Sequence, residues 1–271
     1  MATGAPPRSL ARQVASPAPL KSMPLKSMPL KSMPLKSMPL SALIWLVLVV
    51  VLAAGGCASS KFRYVAHPST KTYLKVPRSW KGFDGNLLDR ADAKALEVAG
   101  EQAPSFIDLV FNGALQWRVA FDGDPHPQPA HAVSFAVAPV AEVRVRDLTP
   151  DERDHVNLAS LRNMFFPYDQ LKAEAEDEHK GQPLEANPPA TDSFRPLREK
   201  TITSADGVRG NRVVFELRQG SEFYVIDQTA LLDARSDRVY VLLLRASESE
   251  YLSNVPLLND VAGSFTVKQN G

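Results

Sequence analysis

The chain has 271 residues, 44% of them hydrophobic, with 31 Lys and Arg against 30 Asp and Glu and a single cysteine. One cysteine excludes an internal disulfide, so the fold has to rest on its hydrophobic core. The near-neutral total hides an asymmetry. Residues 1–40 hold six basic side chains and no acid, which leaves 25 basic and 30 acidic residues, a net charge of −5, in the remainder. That sign excludes nucleic acid as a partner of the body, because phosphate binding needs a concentrated positive surface.

The N-terminal stretch falls into two parts. Residues 21–40 are four copies of Lys-Ser-Met-Pro-Leu, a period of five with a proline in each unit. Neither helix nor strand accommodates that pattern, so residues 1–40 are expected as a basic, extended cytoplasmic n-region. Each repeat contains a methionine, and a start at Met33 would leave a compact leader with Lys36 alone ahead of the apolar run. Residues 41–57, SALIWLVLVVVLAAGGC, come next, with an uncharged core of 13 residues from Ala42 to Ala54. That length fits the apolar region of an export signal and falls short of the roughly 17 to 25 residues of a membrane-crossing helix. Crossing is the competing reading, since Leu40, Ser41, Gly55 and Gly56 extend the segment to 17 residues. In either case Arg8, Arg12, Lys21, Lys26, Lys31 and Lys36 keep the N-terminus cytoplasmic and send the C-terminal body across the membrane.

Ala54-Gly55-Gly56-Cys57 resembles the lipobox of bacterial lipoproteins. That resemblance implies cleavage before Cys57, which becomes a diacylglyceryl cysteine with added acyl groups such as palmitate. Ala54 stands where a lipobox usually has a large aliphatic residue. Each buried CH₂ contributes about 0.8 kcal/mol, so two or three acyl chains hold a protein on a bilayer where one does so marginally.

Residues 58–71 are polar and are expected as a tether, leaving 72–271 as a single α+β domain. Tyr73 to Pro77 reads as a first strand, with Trp80 as a core cover. Leu87, Leu88, Ala91, Ala95, Leu96 and Val98 space an amphipathic helix over 86–99. Strands are expected at Leu115–Phe121 and Ala132–Val145, the second interrupted near Pro139, and are joined by the proline-rich loop from Asp122 to Pro129. Thr149, Pro150 and Glu152 form a helix start with a capping box, and the helix is expected to reach Asn163. A second helix should begin after Pro167 and end at Glu178, before a polar loop around 181–192. From there four strands, 198–203, 212–218, 222–232 and 238–246, make an antiparallel meander in which Val239–Leu244, apolar on both faces, is central. Val213, Phe215 and Leu217 alternate with Arg212, Glu216 and Arg218, which packs one face and leaves the other to solvent or a loose cover. Ser247 caps a helix carrying Tyr251, Val255, Leu258 and Ala262 on one side, kinked at Pro256, ahead of a last strand at 264–268.

YVLLLRASESEYLSNVPLLNDVAGSFTV, from Tyr240 to Val267, together with KVPRSW within Tyr73–Trp80, resembles the closing and opening elements of PsbP-like α/β sandwich domains, including those of actinobacterial LpqN-type lipoproteins. The resemblance implies an antiparallel sheet covered by helices that docks to protein or lipid partners, without catalysis. Fold-level likeness does not by itself assign a task.

The residues give no strong chemical motif. Of five histidines (His67, His126, His131, His155 and His179), His126 and His131 share the loop DPHPQPAH, but that spacing is a weak metal signature and a solvated loop explains it. Glu174 to His179 is an acidic run that a solvated helix end accounts for. Gly263-Ser264-Phe265 lacks the second glycine of a nucleophile elbow, and Gly207 and Gly210 suit a hairpin turn. Trp80, Trp117, Phe165, Phe166, Tyr168, Phe223 and Tyr224 are assigned to the core, with Phe165-Phe166-Pro167-Tyr168 as the one candidate for an exposed docking cluster. The expectation is therefore a lipid-anchored protein on the extracytoplasmic face of the cell membrane, a non-enzymatic binding or assembly module. Its partner would be an envelope protein or a lipid, with no cofactor or metal. A surface hydrolase assembled from distant residues and a single-pass membrane protein are the alternatives.

Overall fold

Two periodicities organise the folded body: strands that alternate side chains across a sheet, and helical stripes that cover both of its faces. The computed structural model describes residues 61–99, 115–178 and 193–268. Cys57, the leader, His179 and the loop around 181–192 lie outside them. In chain order the elements are β1 (Phe62–His67), β2 (Thr72–Pro77), β3 (Lys81–Asp84), α1 (Gly85–Ala99) and β4 (Leu115–Asp122). A short 3₁₀ turn (Pro129–Val133) precedes β5 (Val140–Asp147), α2 (Pro150–His155), α3 (Leu158–Arg162) and α4 (Tyr168–Glu178). The second half comprises β6 (Phe194–Thr203), β7 (Arg209–Gln219), β8 (Glu222–Leu232), β9 (Arg238–Ser247), α5 (Glu248–Ser264) and β10 (Thr266–Val267).

Seven strands form one antiparallel sheet in the order β3-β4-β5-β9-β8-β7-β6, and β1-β2-β10 form a smaller one. β9, which carries Val239–Leu244, lies in the middle of the large sheet as its apolar sequence requires. The α+β class is therefore present, with helices on both faces. On one face α5 and the small sheet bury Val143, Val214, Val225, Leu242 and Leu244 together with Tyr251, Leu258 and Val261. On the other, the α2–α4 region buries Val213, Phe215, Ile226, Val241 and Leu243 under Leu161, Phe165, Phe166 and Tyr168. The meander is thus covered on both sides, and the alternation in β7 separates two packed faces.

Several elements differ from the sequence expectation for identifiable reasons. β1 occupies residues expected in a tether: Arg63, Tyr64 and His67 disguise its alternation, but its backbone pairs with β2 from Phe62↔Pro77 to His67↔Thr72. β3 is four residues long and too short to show a period. The expected strand at 132–145 begins only at Val140, because Pro129 and Pro139 flank a turn whose Ala132 and Val133 are buried without belonging to the sheet. The helix expected from Thr149 to Asn163 is two helices. Asn157 breaks it by capping a new start, its side chain accepting from Ala159 N and Ser160 N, while the Thr149–Glu152 box forms as expected. Pro256 lies inside α5, on its exposed side.

Gly207 takes a left-handed φ of +86° in the β6–β7 turn, whereas Gly210 belongs to β7 itself. A Cβ on Gly210 would stand 2.0 Å from the Ala230 carbonyl oxygen on β8, backbone that cannot yield without opening the ladder. Gly210→Ala is therefore expected to cost at least about 1–3 kcal/mol as an overpacking change. Urea unfolding of the purified protein measures this, and an unchanged midpoint would contradict the close approach.

Candidate functional site

The face of the large sheet opposite α5 is not apolar throughout. Arg118 on β4, Glu142 and Arg144 on β5 and Arg245 on β9 point to that face and are all buried. Arg118 and Arg144 stand directly opposite in the β4–β5 ladder, a like-charge pairing that destabilises on its own. Glu142 resolves it: its Oε1 accepts from Arg118 Nε at 2.9 Å and from Arg144 Nε at 2.8 Å, while Oε2 faces Arg245 Nη2 at 3.6 Å. Burial alone would raise the Glu142 carboxyl, but the guanidinium groups of Arg144, Arg118 and Arg245 overcome it and hold the acid at about 2. For Arg245 burial wins. Its guanidinium falls to about 10 because Glu142 is opposed by the neighbouring Arg144 and Arg118. Arg118 is raised: burial lowers it, and Glu142 with Asp92 more than compensates.

This ionic cluster holds two structural pieces. Arg118 Nη1 donates to Asp89 Oδ1 at 2.8 Å and also to Asp92, which fastens α1 to the sheet. Arg245 donates to the Ala132 carbonyl and so fixes the 3₁₀ turn. A second buried carboxylate secures the loop before that turn. Asp122 accepts from Asp124 N and Gln128 N, each at 2.9 Å, and from His131 Nδ1 at 2.7 Å. Since an ionised carboxylate only accepts, Nδ1 of His131 carries the proton. Apolar contacts among Phe83, Leu88, Ala120, Ala132 and Val140 complete this end of the core.

Between the two pieces runs an apolar groove of about 550 Å³. Leu87, Ala91, Ala95 and Val98 form the α1 wall, and Pro129, Ala130 and Val133 the opposite one. Its volume lies in the range of about 300–1,000 Å³ usual for small-molecule sites. Arg90 and Lys94, one helical turn apart and exposed, also line it. A second depression of about 400 Å³ lies nearby between His67, Asp89, Trp117 and Arg118. There His67 stacks on Trp117 with ring centroids 4.8 Å apart and planes 5° from parallel, and burial, with Arg238 adding to it, lowers the imidazole pKa.

The residues singled out in the sequence are distributed differently. His126 is exposed and His131 is held by Asp122, so the two do not act as a pair. Among the described residues no group of three or more His, Cys, Asp or Glu side chains could hold a metal ion. Phe165-Phe166-Pro167-Tyr168 is not an exposed docking cluster. Phe165, Phe166 and Tyr168 are buried, Tyr168 packing edge-on to Phe194 and Phe166 edge-on to Phe215, because the break after α3 turns the segment into the core. Ser264 Oγ donates to the Val261 carbonyl and accepts from Lys75 N at 2.9 Å, a joint between α5 and β2. Among the described residues no helix is long and apolar enough to cross a membrane. The groove was not read from the sequence. The apolar stripe of α1 was visible, but the partner wall comes from a loop whose conformation depends on Asp122.

No protein-family profile and no curated protein matches this sequence. Among solved structures, the chain is similar to cyanobacterial PsbP (CyanoP) from Synechocystis sp. PCC 6803, with 12% identity, 79% of this chain and 96% of that chain covered, and a TM-score of 0.37. It is similar to LpqN, involved in cell envelope biogenesis of Mycobacterium tuberculosis, with 13% identity, 77% and 91% coverage and a TM-score of 0.38. It is also similar to the Saccharomyces cerevisiae Ran-binding protein Mog1p, with 12% identity, 76% and 95% coverage and a TM-score of 0.36.

The Glu142 cluster sets a pH dependence. The folded acid titrates at about 2 against an ordinary 4.5, so its stabilising share is complete above about pH 4.5 and is lost as pH falls through the folded value. Glu142→Gln should flatten that loss between the two pH values. It should also lower neutral-pH stability by about 3–5 kcal/mol, since three buried guanidiniums would lose the carboxylate they share. Chemical denaturation from pH 7 to pH 2 on both proteins measures each effect.

Proposed function

We propose that this chain is a lipid-anchored protein of the extracytoplasmic face of the cell membrane, acting as a non-enzymatic binding module of the cell envelope. The observation that carries this reading is the 13-residue apolar run from Ala42 to Ala54 ending in Ala-Gly-Gly-Cys57 behind six basic residues. Such a segment directs export, and a cysteine at its boundary supplies the sulfur for a thioether-linked diacylglyceryl group. In this reading residues 1–40 are the cytoplasmic n-region, 41–57 the leader and lipidation site, and the folded body the exported part. A net charge of −5 beyond residue 40 suits a soluble module that works beside a membrane without binding nucleic acid.

The folded body supports the binding part of the proposal. The ionisable side chains brought together at its core, Glu142 with three arginines and Asp227 with Arg212 and Tyr251, are engaged in tying elements to the sheet. The α1 groove, by contrast, is concave and mostly apolar among the described residues, as a ligand site is.

Mass spectrometry of the full-length protein made in a bacterial host tests the anchor. The wild type should begin at Cys57 with the added mass of a diacylglyceryl group and an acyl chain. Cys57→Ser should either retain residues 1–56 or leave the membrane fraction. A wild-type protein with residues before Cys57 still attached, as a membrane helix would leave them, or with a bare thiol at that position, overturns the proposal.

A further inference from the structure

The α1 groove has a ligand preference written into its lining. Its walls are aliphatic, with Ala91 and Ala95 leaving a channel along the helix between Leu87 and Val98. The eleven helical steps from Leu87 to Val98 measure about 16 Å at 1.5 Å per step, close to the length of one extended acyl chain. Val98, at one end, is 81% exposed, an apolar surface left open by the described residues. Apart from the two cations, the polar side chains of the lining are Gln128 and Ser134, too few to satisfy the backbone of a bound peptide.

Charge gives the second constraint. Arg90 and Lys94 lie at i and i+4, so their heads stand on one side of α1, and no ion pair engages either among the described residues. Of the acids on the same helix, Asp89 and Asp92 are bound by Arg118, and Glu97, exposed and three residues beyond Lys94, is not part of the groove lining. An apolar channel whose charged lining residues are two cations is complementary to an amphiphile with one chain and one anionic head.

We propose that the groove between α1 and residues 128–134 binds a free long-chain fatty acid, its chain along Ala91 and Ala95 and its carboxylate at Arg90 and Lys94. This rests on the reading of the body as a binding module and names its ligand class.

The test uses the full-length chain in phosphatidylcholine vesicles with a photoactivatable, alkyne-tagged palmitic acid, followed by irradiation and peptide mapping. Label should concentrate in peptides containing residues 87–98 and 128–134 and be displaced by unlabelled palmitate. Ala91→Trp, which fills the channel, should reduce it by about tenfold or more. The pair Arg90→Glu and Lys94→Glu, both exposed and outside the packed core, should reduce it by about threefold, as expected for solvent-facing ion pairs. Leu252→Trp, on exposed α5 surface, should leave it unchanged. Label absent from the groove peptides, insensitive to both groove variants, or equally strong when the photoactivatable group is carried by phosphatidylcholine instead, overturns the proposal. Label confined to residues 42–57 overturns the groove and leaves the anchor standing. Groove labelling on a protein with an unmodified Cys57 does the reverse.

Discussion

A single buried carboxylate governs the end of the molecule that carries the groove. Glu142 stands on a strand flanked by β4 and β9, and each flanking strand presents a guanidinium to the same face as Arg144 on its own strand. Desolvating four charges costs several kcal/mol per ion even after relaxation, so this arrangement survives only through close geometry. Glu142 Oε1 accepting from two guanidiniums supplies that geometry, and Phe165 lies against the Arg144 guanidinium 5.2 Å from its ring centre. A purely aliphatic patch of the same volume would be at least as stable. What it would lack is reach: Arg118 and Arg245 extend from the cluster to α1 and to the Ala132 carbonyl, fixing two peripheral segments in relation to one another.

The other face uses a smaller version of the same device. Asp227 accepts from Arg212 Nε at 2.7 Å and from the Tyr251 hydroxyl at 3.0 Å, and Asn259 Oδ1 accepts from Arg212 Nη2 at 2.8 Å. Here the polar link sits beneath α5 and is surrounded by a continuous apolar core that includes β2 and β10. The contrast explains why the two faces differ in packing. α5 is clamped along its length, whereas α1 is held at Leu88 and at Asp89 and Asp92, leaving the side with Ala91, Ala95 and Val98 to line the groove among the described residues.

Most of the fold was legible in the sequence where one period ran long enough. β8 at Glu222–Leu232 matches its expected bounds, and the Thr149 capping box, the central place of Val239–Leu244 and the buried stripe of α5 all arise from local pattern. The misses share a cause. β1 and β3 are pairing events whose hydrogen bonds leave no trace in side-chain alternation when the outer face is Arg, Tyr and Lys. Glu142, Arg144 and Arg146 alternate with valines in a manner indistinguishable from a solvent-facing strand, so their burial could not be read locally. The groove was hidden for the same reason: its second wall owes its shape to Asp122, whose partners Asp124, Gln128 and His131 identify themselves only in three dimensions.

Magnitudes decide how such a groove would work. A carboxylate meeting Arg90 and Lys94 in solvent gains about 0–1 kcal/mol, whereas each methylene removed from water contributes about 0.8 kcal/mol. A few buried methylenes therefore outweigh the ion pair, and the cations set the direction in which a chain enters more than the strength with which it is held. Entropy acts in the same direction, because a site whose walls are already fixed spends none of that gain on ordering itself. Both walls here are fixed by polar contacts that the ligand never touches, Asp89 and Asp92 on Arg118 for α1 and Arg245 on the Ala132 carbonyl for the turn. The Glu142 cluster thus acts on binding through rigidity: loosening it would weaken capture of an apolar chain without removing any group that contacts it.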